Sequence, residues 1–305
     1  MDLSQSSKPL ADPLSDVLTT LGANVTRCTR LEAAGQWALS FPALDRLKFV
    51  AVLKGTAWLI VPELEPQLLS AGDVCLIGRT AYAVASDPNL PRRDGQPLYD
   101  GCDVARLGGD DTIGLGGTVA FSSGNADFLL DMLPDFLLVP RSLPASGAVN
   151  TILALLNGEA ERDAMGGQVV SARLADVLLV EAIRAYAPGG DPSRTGWLGA
   201  LSDRRLGCAL RAIHGDIARP WTVAQLAAVA GMSRAAFSAA FTRQVGQPPL
   251  SYVRAWRLAL ARTALARGDA DIATICGDVG YTSRSAFTYA FRRAFGATPK
   301  RSARA

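Results

Sequence analysis

Two serine–arginine pairs, Ser233-Arg234 and Ser283-Arg284, stand fifty residues apart, and each is followed by phenylalanine at the same distances: Phe237 and Phe241 after the first, Phe287 and Phe291 after the second. A serine at the start of a helix accepts free backbone amides. Phenylalanines four residues apart, extended by Phe295 in the second copy, anchor one face of that helix in a core. The opposite face then carries Arg234, Ala235, Ser238, Ala239 and Thr242 in the first copy, and Arg284, Ser285, Thr288, Tyr289 and Arg292 in the second. A guanidinium fork can bond two acceptors on one guanine edge, and a small apolar side chain such as Ala235 can meet a thymine methyl. A helix with an Arg at its leading end and short side chains behind suits a major groove. Arg243 and Arg293 lie further along, at positions suited to phosphates, and Arg254, Arg257 and Arg292 join them as candidate phosphate contacts.

The elements that must position these residues are legible upstream. Val223 pairs with Ile272, Leu226 with Ile275 and Gly231 with Gly280, now at an offset of 49, so one residue is inserted between Gly280 and Ser283. Each copy therefore reads as a short helix, a glycine turn and a capped second helix, a helix-turn-helix. "LSYVRAWRLALARTALARG" joins the copies as one helix spanning about 25–30 Å, comparable to one turn of duplex. Two reading helices held at that separation could enter successive grooves. The alternative is a plain helical bundle, and two copies at a constant offset in the one basic region of the chain argue against it. Residues 201–305 hold sixteen basic and five acidic residues, a net of +11, whereas residues 1–200 carry −8. The repeat sits in the one basic third; that charge suits a polyanion partner, and taken alone it equally suits Arg-rich helices that make soluble faces.

At 305 residues, with 49% hydrophobic and 19% charged residues, the chain is expected to fold as two domains. "MDLSQSSKPLADP" lacks the pattern of a signal peptide, and apolar stretches such as "FLLDMLPDFLLVP" are broken by Asp and Pro. These features predict a cytoplasmic protein without a membrane partner. The five cysteines are far apart and read as buried thiols rather than disulfides or a zinc site. The single histidine, His214, reads as a helix-end residue with no nucleophile to serve.

From Leu47 short apolar runs, "LKFVAVL", "TAWLIV" and "DVCLIG", are punctuated by Gly, Pro and Asp, and "TIGLGGTVAFSS" adds a glycine-rich strand; residues 40–125 predict an antiparallel sandwich or barrel. After Pro144 the period becomes helical. In "GQVVSARLADVLLVEAIRAYA", Leu174, Val177, Leu178 and Ile183 are expected on the buried side. "APGGDPSRTG" reads as a linker.

Residues 204–299 resemble the DNA-binding domain of the AraC/XylS family of bacterial transcription regulators. "GYTSRSAFTYAFRRAFGATP" follows that family's pattern G-[YF]-x-S-x-S-x-F-x-x-x-F-[KR]-x-x-x-G-x-[TS]-P. The chain departs from the family in ending "KRSARA" after the proline and in placing Gly277 inside a helix, at a cost of about 1 kcal/mol relative to Ala. The resemblance implies base contacts by Arg234, Ala235, Ser238, Arg284, Ser285, Thr288 and Tyr289. "LKFVAVLKGTAWLIV" and "LLSAGDVCLIGRTAYAVASDP" are similar to the cupin-like sensor domain that precedes it.

The expected fold class is thus α+β multidomain: a flexible arm at 1–15, a cupin-like β-barrel or sandwich at 16–143, a helical dimer element at 144–188 with "RLADVLLVEAIRAY" as its seam, a linker at 189–203 and an all-α domain at 204–305. Within the last, helix-turn-helix units fall at about 222–245 and 271–295 around a linker helix at about 250–267. The stripe of the helical element could equally pack on its own barrel. Trp37, Lys48, Trp58 and Tyr82 are candidates to line an effector cavity, although aromatics in a small barrel also serve as core. The barrel region holds no histidine, which speaks against a metal-dependent cupin enzyme; no cofactor is expected. The implied partners are double-stranded DNA, a second copy of the chain, a small effector and RNA polymerase. A regulator whose barrel only dimerises is the remaining alternative.

Overall fold

The computed structural model describes residues 12–121, 126–162, 164–186, 196–268 and 270–303. Its chain divides into two compact units, one formed by Ala23–Phe121 with Leu133–Asp191, the other by Met1–Gly22, Ser122–Met132 and Pro192–Ala305.

The first unit is a sandwich. Its strands are β1 (Ala23–Ala33), β2 (Ala38–Phe41), β3 (Leu47–Lys54), β4 (Thr56–Ile60), β5 (Gln67–Ser70), β6 (Val74–Ile77), β7 (Tyr82–Ala85), β8 (Arg93–Asp94), β9 (Val104–Leu107), β10 (Thr112–Phe121) and β11 (Phe136–Val139). One sheet runs β11-β6-β3-β10-β1-β9 and the other β5-β4-β7-β2-β8. Pairing is antiparallel except between β1 and β9 and between β2 and β8. The runs expected at "LKFVAVL", "TAWLIV", "DVCLIG" and "TIGLGG" are β3, β4, β6 and β10. Alternation along β3 and β10, interrupted by a register shift at Ile113/Gly114, divides their side chains between two faces. One row (Leu47, Phe49, Ala51) is buried on the outer side of its sheet, and the other faces the space between the sheets. The inner core gathers Leu31, Trp37, Leu39, Val52, Leu59, Leu69, Cys75 and Val84.

Helices α3 (Gly147–Arg162) and α4 (Gly167–Tyr186) pack on each other and against β1, β3 and β11. The Asp176 carboxylate accepts from the Val25 amide at 2.6 Å, and Arg30 donates to Asn157 at 3.1 Å, fastening both helices to the sheet. The main stripe of α4 (Ala175, Leu178, Leu179, Ala182, Ile183) is buried within its own unit. Val177, expected beside Leu178 and Ile183, is instead 48% exposed. At about 100° per residue it falls between the buried rows rather than within one. Leu174 is half-buried.

The second unit is helical: α1 (Pro13–Leu21), α2 (Ala126–Leu130), α5 (Trp197–Ser202), α6 (Arg204–Gly215), α7 (Val223–Val229), α8 (Arg234–Val245), α9 (Pro249–Arg267), α10 (Ile272–Asp278), α11 (Arg284–Phe295) and α12 (Pro299–Ser302). Caps define the starts. Asp12 caps α1, Asp203 caps α6, Thr222 and Gln225 form a reciprocal capping box on α7, and Asp271 caps α10. Helix α1 takes up the last residues of the stretch read as an arm. Of the stretch read as a linker at 189–203, residues 189–195 lie outside the described residues, and the rest is corrected: Trp197–Ser202 form α5 with Trp197, Leu198 and Ala200 buried, and Asp203 caps α6. None of the helices described is long and apolar enough to cross a membrane.

Candidate nucleic-acid interface and ligand cavity

The two copies fold alike. Ser233 accepts the Ala236 amide at 3.3 Å, and Ser283 accepts the Ala286 amide at 3.4 Å. Phe237 and Phe241, like Phe287 and Phe291, are fully buried. Gly231 and Gly280 hold left-handed backbone at φ +62° and +81°. Gly280 is doubly constrained, because a Cβ there would stand 2.4 Å from the Ala218 carbonyl oxygen.

Helix α9 is the shared spine. Its C-terminal half contributes Leu258, Ala261 and Leu265 to a core with Ile275, Cys276, Val279, Phe287 and Phe291. Its N-terminal half buries Tyr252, Val253 and Trp256. There the Trp197 indole donates to the Tyr252 hydroxyl at 3.0 Å; His214 lies 2.7 Å from that hydroxyl through Nε2 and 2.6 Å from Asp16 through Nδ1. The order that satisfies every group is Trp N–H to Tyr oxygen, Tyr O–H to Nε2, and Nδ1–H to the carboxylate. Phe128 of α2 adds ring contacts to Tyr252 and Trp256 at 5.9 and 5.0 Å. His214 does sit in the last turn of its helix, as expected, but as a buried tie between α1, α6 and α9.

With the phenylalanines inside, the opposite faces are open. Arg234, Ala235, Arg284 and Ser285 are exposed, Ser238 and Thr288 half-buried, and Tyr289 is 70% exposed. Arg243, Arg254, Arg292 and Arg293 are also exposed. Arg257 differs. Its guanidinium donates to the carbonyls of Ile217 (3.0 Å), Ala218 (3.4 Å), Arg219 (2.7 Å) and Gly280 (3.1 Å). The expectation that it contacts phosphate is corrected: these bonds use its donors to staple α9 to the loop before α7 and to the second turn.

In the sheet unit a cavity of about 290 Å³ opens between the two sheets. Trp37, Lys48 and Tyr82 line it, as expected. Trp58 does not. It sits on β4 between Ala57 and Leu59, and since those two face the inner core, parity sends Trp58 to the other side, against Ala38, Ile60, Ala83 and Ala85. Phe41, Tyr99, Thr29, Thr118, Gly114 and Gly116 line the cavity and were not read from the sequence; the alternation Gly114-x-Gly116-x-Thr118 was the available signal. Phe41 and Tyr82 stack at 5.0 Å, with the Lys48 ammonium 5.9 and 5.2 Å from their centroids. Burial raises the Tyr82 phenol, and pushes that of Tyr99 up to about 12. Among the described residues no group of three or more His, Cys, Asp or Glu is arranged to hold a metal. Of the cysteines, all free, Cys75 and Cys276 are buried while Cys102 is exposed, unlike the buried thiols expected.

A capped, duplicated helix-turn-helix on a common spine in one unit and a sandwich with an internal cavity in the other are the parts of a two-domain DNA-binding regulator. Residues 12–188 match the Cupin family model and residues 226–305 the Helix-turn-helix domain model. An AraC-like transcription regulator of Streptomyces lividans is 37% identical over 293 residues, covering 94% of this chain and 96% of its own. The HTH-type transcriptional regulator AlkR of Acinetobacter baylyi is 29% identical, with 95% and 98% covered. Fatty acid-bound ToxT from Vibrio cholerae aligns over 92% of this chain and 94% of its own, at 15% identity and a TM-score of 0.38. The chain belongs to the AraC-like transcription regulators, with a cupin-like N-terminal domain and a helix-turn-helix domain that binds double-stranded DNA.

Proposed function

We propose that this regulator reads two adjacent major grooves through α8 and α11 and that a small molecule in the sheet cavity modulates it. The observation that carries the first part is the matched exposure of Arg234 with Ala235 and of Arg284 with Ser285 at the leading ends of two helices on one spine. Ser238, Thr288 and Tyr289 extend the reading faces, while Arg243, Arg254, Arg292 and Arg293 serve the phosphates. The cavity between Trp37, Lys48 and Tyr82 supports the second part. Its relatives are transcription regulators, which favours a role without catalysis. Action on RNA polymerase and a cytoplasmic setting accord with this class.

A homodimer accords with the apolar residues left outside the main stripe of α4: Val169, Val170 and Val177, with Leu155 on α3. Sedimentation of Val170→Lys/Val177→Lys checks this: it should shift toward monomer, and an unchanged profile would remove that surface.

The DNA reading is tested by selecting duplexes from a random pool on the whole protein and titrating the winner across salt. Binding should fall steeply, with a log–log slope near −0.9 per phosphate neutralised. Failure to enrich any sequence would reduce the protein to a nonspecific binder.

A further inference from the structure

We infer that the cavity of the sheet unit is built for an apolar monocarboxylate, its anionic head at Lys48 and its body along a row of glycines; this rests on the effector reading above. Registers of β1, β10 and β3 set three cross-strand rows on the cavity wall. The first is Arg27–Thr118–Lys48, the second Thr29–Gly116–Val50 and the third Leu31–Gly114–Val52. The middle strand has no side chain in the second and third rows, and that missing volume helps make the cavity. A Cβ at Gly114 would meet nothing closer than 3.8 Å, so the space there is open to a larger side chain.

The rows also set a polarity. The first is polar and faces Phe41 and Tyr82; the third is aliphatic, and Trp37, Ala57 and Val84 also line the cavity. At the polar end Arg27 is already engaged by Asp103 (2.8 Å) and the carbonyls of Tyr99 (2.6 Å) and Cys102 (2.7 Å). Asp100, the acid on the lining, is exposed. Lys48 has no ion pair or hydrogen bond among the described residues, only the two aromatic faces. Its ammonium is pushed down first by burial and then by Arg46, and a carboxylate beside it would oppose both. The hydroxyls of Tyr82 and Thr118 likewise have no hydrogen-bond partner among the described residues, so the lining leaves one cation and two hydroxyls to meet a carboxylate. A polyol would leave hydroxyls unpaired against Val50, Val52 and Trp37. A phosphate ester would bring a second charge, and Arg27, the other cation on the lining, is already held by Asp103 and two carbonyls.

Calorimetry on the whole protein with octanoate and phenylacetate, each beside its neutral amide, tests the inference. At least one acid should bind roughly tenfold or more tightly than its amide, as a charge-assisted contact implies. Lys48→Met should erase the preference, Lys48→Arg should keep it, and Gly114→Leu should weaken acid and amide together. Equal binding of acid and amide would overturn the anionic class yet leave an effector cavity. A preference that survives Lys48→Met would overturn the role of Lys48, and no binding by either acid would overturn the ligand class. A parallel titration with the selected duplex reports the DNA reading independently.

Discussion

Arg234, Arg284 and Arg257 share a chemistry and divide by what surrounds them. Arg234 and Arg284 end in solvent at the start of their helices, whereas Arg257 is bound by four carbonyls. Arg234→Ala and Arg284→Ala should each cost about 1–3 kcal/mol of specific binding, read by titration at fixed salt, with little change in melting temperature. Arg257→Met should do the reverse, lowering the melting temperature while leaving the salt slope in place. Gly280→Ala should destabilise by about 2 kcal/mol or more, because it meets both a left-handed backbone and the Ala218 carbonyl. Thermal unfolding checks both. The sequence placed Arg234 and Arg284 correctly at the head of an exposed helix face, since the phenylalanine spacing identifies the buried face. It could not separate Arg257 from Arg254, since three of the carbonyls that hold Arg257 come from the loop Ile217–Arg219 and the fourth from Gly280 in the second turn, all distant in sequence.

At the scale of elements, the starts of α8 and α11 were legible from Ser233 and Ser283, while the Asp and Thr caps of α1, α6, α7 and α10 emerged only in the structure. Asp271 shows the consequence. Hydrogen bonds from the Thr274 and Ala273 amides hold its carboxyl below the ordinary carboxylate range. A carboxyl lowered in the folded state stabilises above the unfolded pKa, and that contribution is lost as pH falls through the folded one. The stability gap between the wild type and Asp271→Ala should therefore narrow as pH drops from about 7 toward about 3, measured by denaturant unfolding. Helix α1 was not read from the sequence, which took residues 1–15 as an arm; it is a short apolar period behind a polar start. Its anchor is the Asp16–His214–Tyr252 chain, which joins residues nearly two hundred positions apart. Asp16→Ala leaves the His214 Nδ1–H without its acceptor and should cost about 1–3 kcal/mol of stability, with Asp16→Asn losing less. Strands β3, β4, β6 and β10 were found by their apolar runs, whereas β1 and β11 lay outside the stretch 40–125 read as a sandwich, and which side of each strand faced the cavity depended on register. That is why Trp58 was misplaced and the glycine row missed.

For the molecule as a whole, the charge split between the basic C-terminal third and the acidic remainder already separated the duplex-binding part from the rest. The cupin-like and helix-turn-helix families confirm that division. On the proposed function, one chain reads two half-sites with two copies of one motif. The most direct measurement is a cycle pairing Arg234→Ala and Arg284→Ala with duplexes substituted in one half of the selected site at a time. Each variant should lose discrimination at its own half and retain it at the other. If both variants lose discrimination equally at both halves, or bind every duplex as the wild type does, the two helices are not independent readers.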